Sequence, residues 1–216
     1  MNLGLQFQPE QLISLLCRIP VIFFALSFHE FCHALVAVKL GDPTPRLQGR
    51  LTLAPLAHVD WIGAACMLFF GFGWAKPVMT NPSNYRNRRW GQALVSLAGP
   101  LSNLLLCFVS VPLWIAVGYL PLTGYAATVV GDIMGDMVIF NAMLFVLNFL
   151  PIPPLDGYQV ARDVLFPRQA MRLWKIEPYG FLIILALSFT GVLGTILNTV
   201  GGGIMNLFIT FWGFLL

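Results

Sequence analysis

Four apolar stretches, each long enough to cross a lipid bilayer, restrict the fold of this chain more than any other feature. A transmembrane helix needs about 20 mostly apolar residues, and a chain in lipid must satisfy its backbone hydrogen bonds within the spanning segment. Only 10% of the residues are charged, against about 25% in soluble domains. We therefore predict an all-α polytopic membrane protein, a bundle of about four to six transmembrane segments. The clearest spans are residues 12–40, 91–119, 125–150 and 179–199.

Two segments after the first span carry weaker signals. Residues 47–53 alternate apolar and polar side chains, which predicts a short β-hairpin at the membrane surface. Residues 61–75 are apolar but short and rich in glycine, so we expect a re-entrant segment that does not cross.

The C-terminal region holds the last predicted span. The glycines at 201–203 are expected to end that span, and residues 204–216 are too short to cross squarely. The whole chain is interpreted as one domain, residues 1–216, with its core at 12–165 and C-terminal helices at 179–216.

The positive charges predict the orientation. Of the twelve Lys and Arg residues, all but Arg18 lie within 39–90 or 162–175. Because cytoplasmic loops carry the excess of Lys and Arg, we place these two regions in the cytoplasm and the 119–125 turn outside, in a multi-pass protein of the cell membrane. The net charge of +3 and the lack of a basic run with aromatics indicate no nucleic-acid partner. The oligomeric state stays open.

The first span contains the motif His29-Glu30-x-x-His33. Residues four apart on a helix share one face, about 6 Å apart along the axis, so the two imidazoles can hold one metal ion. The intervening glutamate can then act as a base on a water molecule. Two histidines and a glutamate in an apolar span are costly unless they are paired or functional, which favours a metal site toward the cytoplasmic end of this span.

A catalytic zinc site needs a third protein ligand, and depth in the membrane favours Asp156. This residue follows the third span, six residues before Arg162, at about the level of the two histidines. Asp132 and Asp136 lie near the outer end of the same span, at the wrong depth. An Asp before Gly is also common in ordinary turns, so depth alone leaves that alternative open.

Several motifs together resemble the site-2 protease family of intramembrane zinc metalloproteases (peptidase family M50), in its compact bacterial form. The resemblance covers most of residues 20–165. The motifs are His29-Glu30-x-x-His33, Gly71-Phe72-Gly73-Trp74-Ala75-Lys76-Pro77-Val78, Ala98-Gly99-Pro100-Leu101-Ser102-Asn103, Asn148-x-x-Pro151 and Leu155-Asp156-Gly157.

The resemblance implies one Zn²⁺ per chain, held by His29, His33 and Asp156. It implies that Glu30 is the catalytic base and that Asn148 lines the site, binding substrate or the oxyanion. The expected reaction is peptide hydrolysis in or near a transmembrane segment of a membrane-protein substrate. The chain has no insertion that fits a PDZ domain and no appended CBS domain, so regulation through such modules is not expected.

Two other functions remain open at this stage. Asp132 and Asp136, an i, i+4 carboxylate pair, would suit a small metal- or proton-linked transporter, although such proteins often have two related halves and this sequence shows none. A catalytically silent membrane scaffold is the third reading. The roles of His58, which is expected to lie in the loop or re-entrant segment, and of Asn103 in the second span are left undecided.

Overall fold

The structure, a computed structural model, describes residues 9–70 and 76–216. Within these ranges the chain is mostly helical and contains no strand, which confirms the all-α prediction. The helices are α1 (Pro9–Lys39), α2 (Thr44–Leu47), α3 (Pro55–His58), α4 (Trp61–Phe70), α5 (Arg88–Val117), α6 (Gly124–Phe149), α7 (Asp156–Val160), α8 (Ala170–Trp174), α9 (Gly180–Phe189), α10 (Val192–Ile196) and α11 (Gly202–Leu215).

Among the described residues, four helical stretches are long and apolar enough to cross a membrane, and three of them form the core. Helices α1, α5 and α6 pack against one another, with many small side chains in their contacts, as helices in lipid require for close approach. The spans are Ser14–Lys39, Arg88–Val117, Gly124–Phe149 and Val192–Leu215. Two of the core clusters between these helices contain Ile22, Ala25, Leu26 and Leu144, and Cys107, Val111, Val138 and Ala142.

The predicted bounds of the fourth span are wrong. Helix α9 has only ten residues, Gly191 turns the chain with φ +75°, and the span runs Val192–Leu215 through the glycine triplet. A π-helical turn at Leu197–Gly201 carries the helix past the point where it was expected to end. Glycine is tolerated inside membrane helices, whereas the left-handed turn falls at Gly191 because glycine alone adopts it without steric cost.

The predicted β-hairpin at 47–53 is also wrong. These residues contain the end of α2 and an irregular turn, and no described residue there is in a strand. Pro45 lies in the first turn of α2 and Pro55 begins α3, positions where proline favours a helix start. Gly49 has φ +68°, which reverses the chain between them. The alternation of side chains was too short to outweigh these local signals.

The segment at 61–75 is described only in part. Helix α4 has ten residues, about 15 Å in length, and a bilayer core is about 30 Å thick. Residues 71–75 lie outside the described residues. The backbone N–H of Lys76 donates to the carbonyl of His58 at 2.8 Å, so the segment begins and ends at one place. A single crossing would separate these ends, and the contact therefore supports the re-entrant prediction.

Asp42 ties together two loops beside the bundle. Its carboxylate accepts hydrogen bonds from the Thr44 backbone N–H (3.1 Å) and hydroxyl (2.6 Å), from the Asn81 N–H (2.6 Å) and from the Asn84 amide (2.7 Å). Burial by itself raises the pKa of Asp42, but these hydrogen bonds outweigh it and hold the pKa below its usual range. The charged carboxylate is therefore the form that joins the loops.

We predict that Asp42→Asn lowers the stability of the detergent-solubilised protein at pH 7 by about 2 kcal/mol, because hydrogen bonds to a buried charge are lost. A folded-state pKa below the unfolded value gives stability that is present above pH ~4 and is lost as the pH falls through the folded pKa. Thermal unfolding of both proteins at pH 7 and pH 3 checks this. A difference between them that stays constant over this range would contradict the ionised role of Asp42.

Candidate metal centre

His29, His33 and Asp156 meet at one point between the helices. The Nε2 atoms of the two histidines are 3.0 Å apart, and Asp156 Oδ2 lies 3.2 Å from His29 Nε2 and 3.3 Å from His33 Nε2. The histidines come from one face of α1, as their spacing predicted, and the aspartate opens α7. Among the described residues this is the one group of three or more His, Cys, Asp or Glu side chains placed to hold a metal ion.

The spacing of these three atoms fits zinc. Tetrahedral zinc binds nitrogen and oxygen at about 2.0–2.1 Å, so that neighbouring ligand atoms lie about 3.3–3.4 Å apart. The three observed separations are close to that value. Two imidazoles and one carboxylate also make the donor set typical of catalytic sites, where a fourth position stays open for water or substrate.

Gly99 of α5 leaves the space that an ion needs. A Cβ atom added at this residue would lie 2.5 Å from His29 Nε2 and closer still to His33 Nε2. That position is only about 0.4 Å farther from the two nitrogens than a zinc–nitrogen bond of about 2.0–2.1 Å. The absent side chain therefore provides a cradle between the two imidazoles, on the surface of the neighbouring helix.

Asp156 is positioned by the tight packing of α7 against the end of α6. A Cβ atom on Gly157 would lie 2.5 Å from the carbonyl carbon of Phe149, so only glycine allows this approach. Burial opposes ionisation of Asp156, but the two neighbouring imidazoles, in their protonated form, hold the pKa of its carboxyl well below its usual range. The charged form of this carboxylate, which is the form that binds a metal, is therefore favoured.

The ring nitrogens that face away from the centre are both hydrogen-bonded to oxygen atoms. His29 Nδ1 lies 2.6 Å from Asn103 Oδ1, and His33 Nδ1 lies 2.6 Å from the carbonyl of Val95. With Nδ1–H donating to these oxygens, each Nε2 keeps its lone pair directed at the centre. Such outer hydrogen bonds set the tautomer and orientation of metal-binding histidines.

A cavity of about 230 Å³ lies beside this centre, and Glu30 and Asn148 line it. Glu30 Oε2 accepts a hydrogen bond from the backbone N–H of Val78 at 2.9 Å. The Asn148 amide donates to the carbonyl of Leu144, one turn back in α6, at 3.1 Å. The structure thus brings both predicted residues to the cavity. A hydrogen bond from another segment holds Glu30, and a hydrogen bond within its own helix holds Asn148.

His58, Asp132 and Asp136 lie outside this cavity. His58 is buried and its Nε2 lies 2.7 Å from the carbonyl of Thr52, within the same loop. Asp136 lies 3.5 Å from the guanidinium of Arg18 on α1. These contacts hold a loop and pair two spans, and they connect none of the three residues to the metal centre.

Four contributors to the site were not assigned a role from the sequence. They are Val78, whose N–H holds Glu30, Val95, whose carbonyl holds His33, Gly99, which provides the cradle, and Asn141, which contacts Asn103. Asn141 carried a usable signal, because a polar residue in an otherwise apolar span needs a partner. The backbone contact of Val78 has no counterpart in the amino-acid pattern.

Comparison with known proteins gives relatives of one kind. The chain is 39% identical over 196 residues to the protein named Putative zinc metalloprotease YwhC of Bacillus subtilis, covering 87% of this chain and 90% of that protein. It is 30% identical over 174 residues to Putative zinc metalloprotease Rip2 of Mycolicibacterium smegmatis, covering 78% and 65%. The protein of that name in Mycobacterium tuberculosis is 31% identical over 173 residues, covering 76% and 62%.

No protein-family model and no solved structure matches the chain. The names of the relatives and the donor set agree on the metal, so zinc is the cofactor.

We predict that Gly99→Ala abolishes stoichiometric zinc binding, because the added methyl group occupies the cradle. The affinity should fall by more than the roughly 100-fold that follows loss of a residue merely supporting a ligand. Zinc per chain in the detergent-purified protein, measured by elemental analysis, checks this. Gly131→Ala in α6 is the matched control, since a Cβ there meets nothing within 4 Å. Full zinc content in Gly99→Ala would refute the cradle.

Proposed function

The chain belongs to the zinc metalloprotease family that includes YwhC, and we propose that it is an intramembrane endopeptidase of the site-2 type. It would hydrolyse peptide bonds in or near transmembrane segments of membrane-protein substrates. The observation that carries this proposal is the location of the metal centre. Two of its three ligands and the candidate base lie within the apolar span Ser14–Lys39, so a substrate must come to them in the membrane.

The position of the site along its helices supports reaction on the cytoplasmic side. His33 lies six residues before Lys39, about 9 Å along the helix, and Asp156 follows the end of α6. The cavity is lined there by polar side chains that include Thr80 and Gln92, and these two residues also line an adjoining cavity of about 540 Å³. Water would reach the centre by this short route from the basic, cytoplasmic face.

We propose that His29, His33 and Asp156 hold the metal, since their ligand atoms meet at one point. Zinc bound there would act as a Lewis acid toward the scissile carbonyl and would lower the pKa of a water ligand toward 7. Glu30 uses Oε2 to accept the N–H of Val78, which leaves Oε1 to take a proton from the attacking water. The same carboxyl group then delivers that proton to the leaving amine.

Asn148 is proposed to bind the substrate carbonyl or the oxyanion. One N–H of its amide donates to the Leu144 carbonyl, which holds the side chain beside the cavity. The second N–H of the NH₂ group remains to donate to a substrate carbonyl or to the oxyanion.

The transporter alternative receives less support. Asp136 pairs with Arg18, which offsets the negative charge that a cation site would need. No described contact joins Asp132 or Asp136 to the histidine pair.

We predict one zinc per chain in the wild-type protein, and a clear loss of zinc in both His33→Ala and Asp156→Asn, because each change leaves two ligands from the set of three. Elemental analysis after size-exclusion chromatography measures this without a substrate. Asp132→Asn is the control, since it removes a carboxylate from a span without touching the centre. Equal zinc in all four proteins would contradict the proposed ligand set.

We predict that Glu30→Gln keeps its zinc but loses cleavage by about 10²–10⁴-fold, the usual contribution of an acid–base group. The protein would be reconstituted with solubilised cell-membrane proteins, and new peptide termini identified by mass spectrometry. Wild type should create termini within or beside transmembrane segments that a chelator suppresses. Equal cleavage by zinc-loaded Glu30→Gln would refute the role of Glu30, and new termini confined to soluble domains would refute the intramembrane assignment.

A further inference from the structure

A row of hydrogen bonds leads from His29 into the core of the bundle. His29 Nδ1 lies 2.6 Å from Asn103 Oδ1, the Asn103 amide donates to Asn141 Oδ1 at 2.9 Å, and the Asn141 amide donates to the Met137 carbonyl at 2.8 Å. Both asparagines are fully buried. The row connects α1, α5 and α6, the three helices that form the core.

The last acceptor determines the direction of every bond in this row. A backbone carbonyl can only accept, so the Asn141 NH₂ group must face Met137 and its Oδ1 must face α5. That oxygen requires a donor, which turns the NH₂ group of Asn103 toward it. Asn103 then presents Oδ1 to His29, and this oxygen can only accept a hydrogen bond from Nδ1–H.

We propose that Asn103 and Asn141 are positioning residues that select the metal-binding tautomer of His29. Asn103 accepts the Nδ1 proton and so leaves the lone pair on Nε2. Asn141 touches neither the histidine nor the centre and acts by preventing the Asn103 amide from turning over. This inference rests on the proposed zinc site and adds to it two residues that do not themselves bind zinc.

The two histidines differ in their need for such support. His33 donates to the carbonyl of Val95, which belongs to the backbone of α5 and cannot rotate. The acceptor of His29 is a side-chain amide, and a half-turn of that amide would place its NH₂ group against the ring. His29 would then accept at Nδ1 and carry its proton on Nε2, where the proton blocks the metal. Asn141 makes this half-turn costly, because it would leave buried polar groups unpaired.

The test is the zinc dissociation constant of the detergent-solubilised protein, measured by competition with a chromophoric chelator. Asn141→Leu frees the Asn103 amide and is expected to weaken zinc binding about 10–100-fold, the range for residues that orient metal ligands. Asn141→Ala, which adds no branched side chain, is measured beside it in case the leucine disturbs folding. Ser110→Ala is the control, because it removes a buried polar group from the neighbouring helix α5.

The discriminating variant is the double change Asn103→Asp with Asn141→Leu. Both oxygens of a carboxylate accept, so no rotation can present a donor to His29, and most of the lost affinity should return without Asn141. Thermal unfolding of the zinc-free proteins confirms that each variant is folded. A role for Asn141 in packing alone would give no such recovery.

Each outcome bears on one proposal or on both. The positioning role of Asn103 and Asn141 is refuted by wild-type zinc affinity in folded Asn141→Leu or Asn141→Ala. It is also refuted if the folded double variant recovers no affinity. If zinc binding is meanwhile lost in Asp156→Asn, the metal centre and the proposed function still stand. If the folded wild-type protein binds no zinc, the proposed metal centre is refuted, and the positioning role of Asn103 and Asn141 is refuted with it.

Discussion

A polar group inside this bundle is costly unless it finds a partner within the protein, because the surrounding lipid offers none. The residues at the metal centre meet this requirement through contacts with other segments. His29 uses the side chain of Asn103, His33 uses the Val95 carbonyl, and Glu30 uses the Val78 N–H. The hydrogen bonds that lower the cost of burying these groups also orient them, so the demands of the membrane and of the site are met by the same contacts.

These contacts depend on how closely the segments approach, and glycine permits the approach at two places. Gly99 brings the backbone of α5 against the imidazoles while leaving a space of atomic size between them. Gly157 brings α7 onto the last turn of α6 and so delivers Asp156. A methyl group at either residue would collide with a histidine ring or with backbone. The candidate metal centre thus depends on these two glycines as well as on its three candidate ligands.

Sequence patterns were informative where a physical rule acts over a short distance. The i, i+4 spacing placed His29 and His33 on one face, and the cost of polar residues in apolar spans marked them as functional. Depth in the membrane pointed to Asp156, far away in the chain. The same reasoning failed at 47–53, where prolines start helical turns, and at 201–203, where a membrane helix tolerates glycine. At 47–53 the alternation was too short to outweigh the proline signals, and at 201–203 a preference of soluble helices does not hold inside a membrane helix.

The amino-acid sequence by itself determined that the chain builds a helical membrane bundle with a histidine pair and a carboxylate at one depth, because hydropathy and helical periodicity are local properties. Only the tertiary structure decided which groups meet across helices. Asn103 and Asn141 are 38 residues apart, and the Val78 N–H that holds Glu30 is 48 residues from it. Such pairs depend on the rotation and separation of packed helices, which no spacing within one helix specifies.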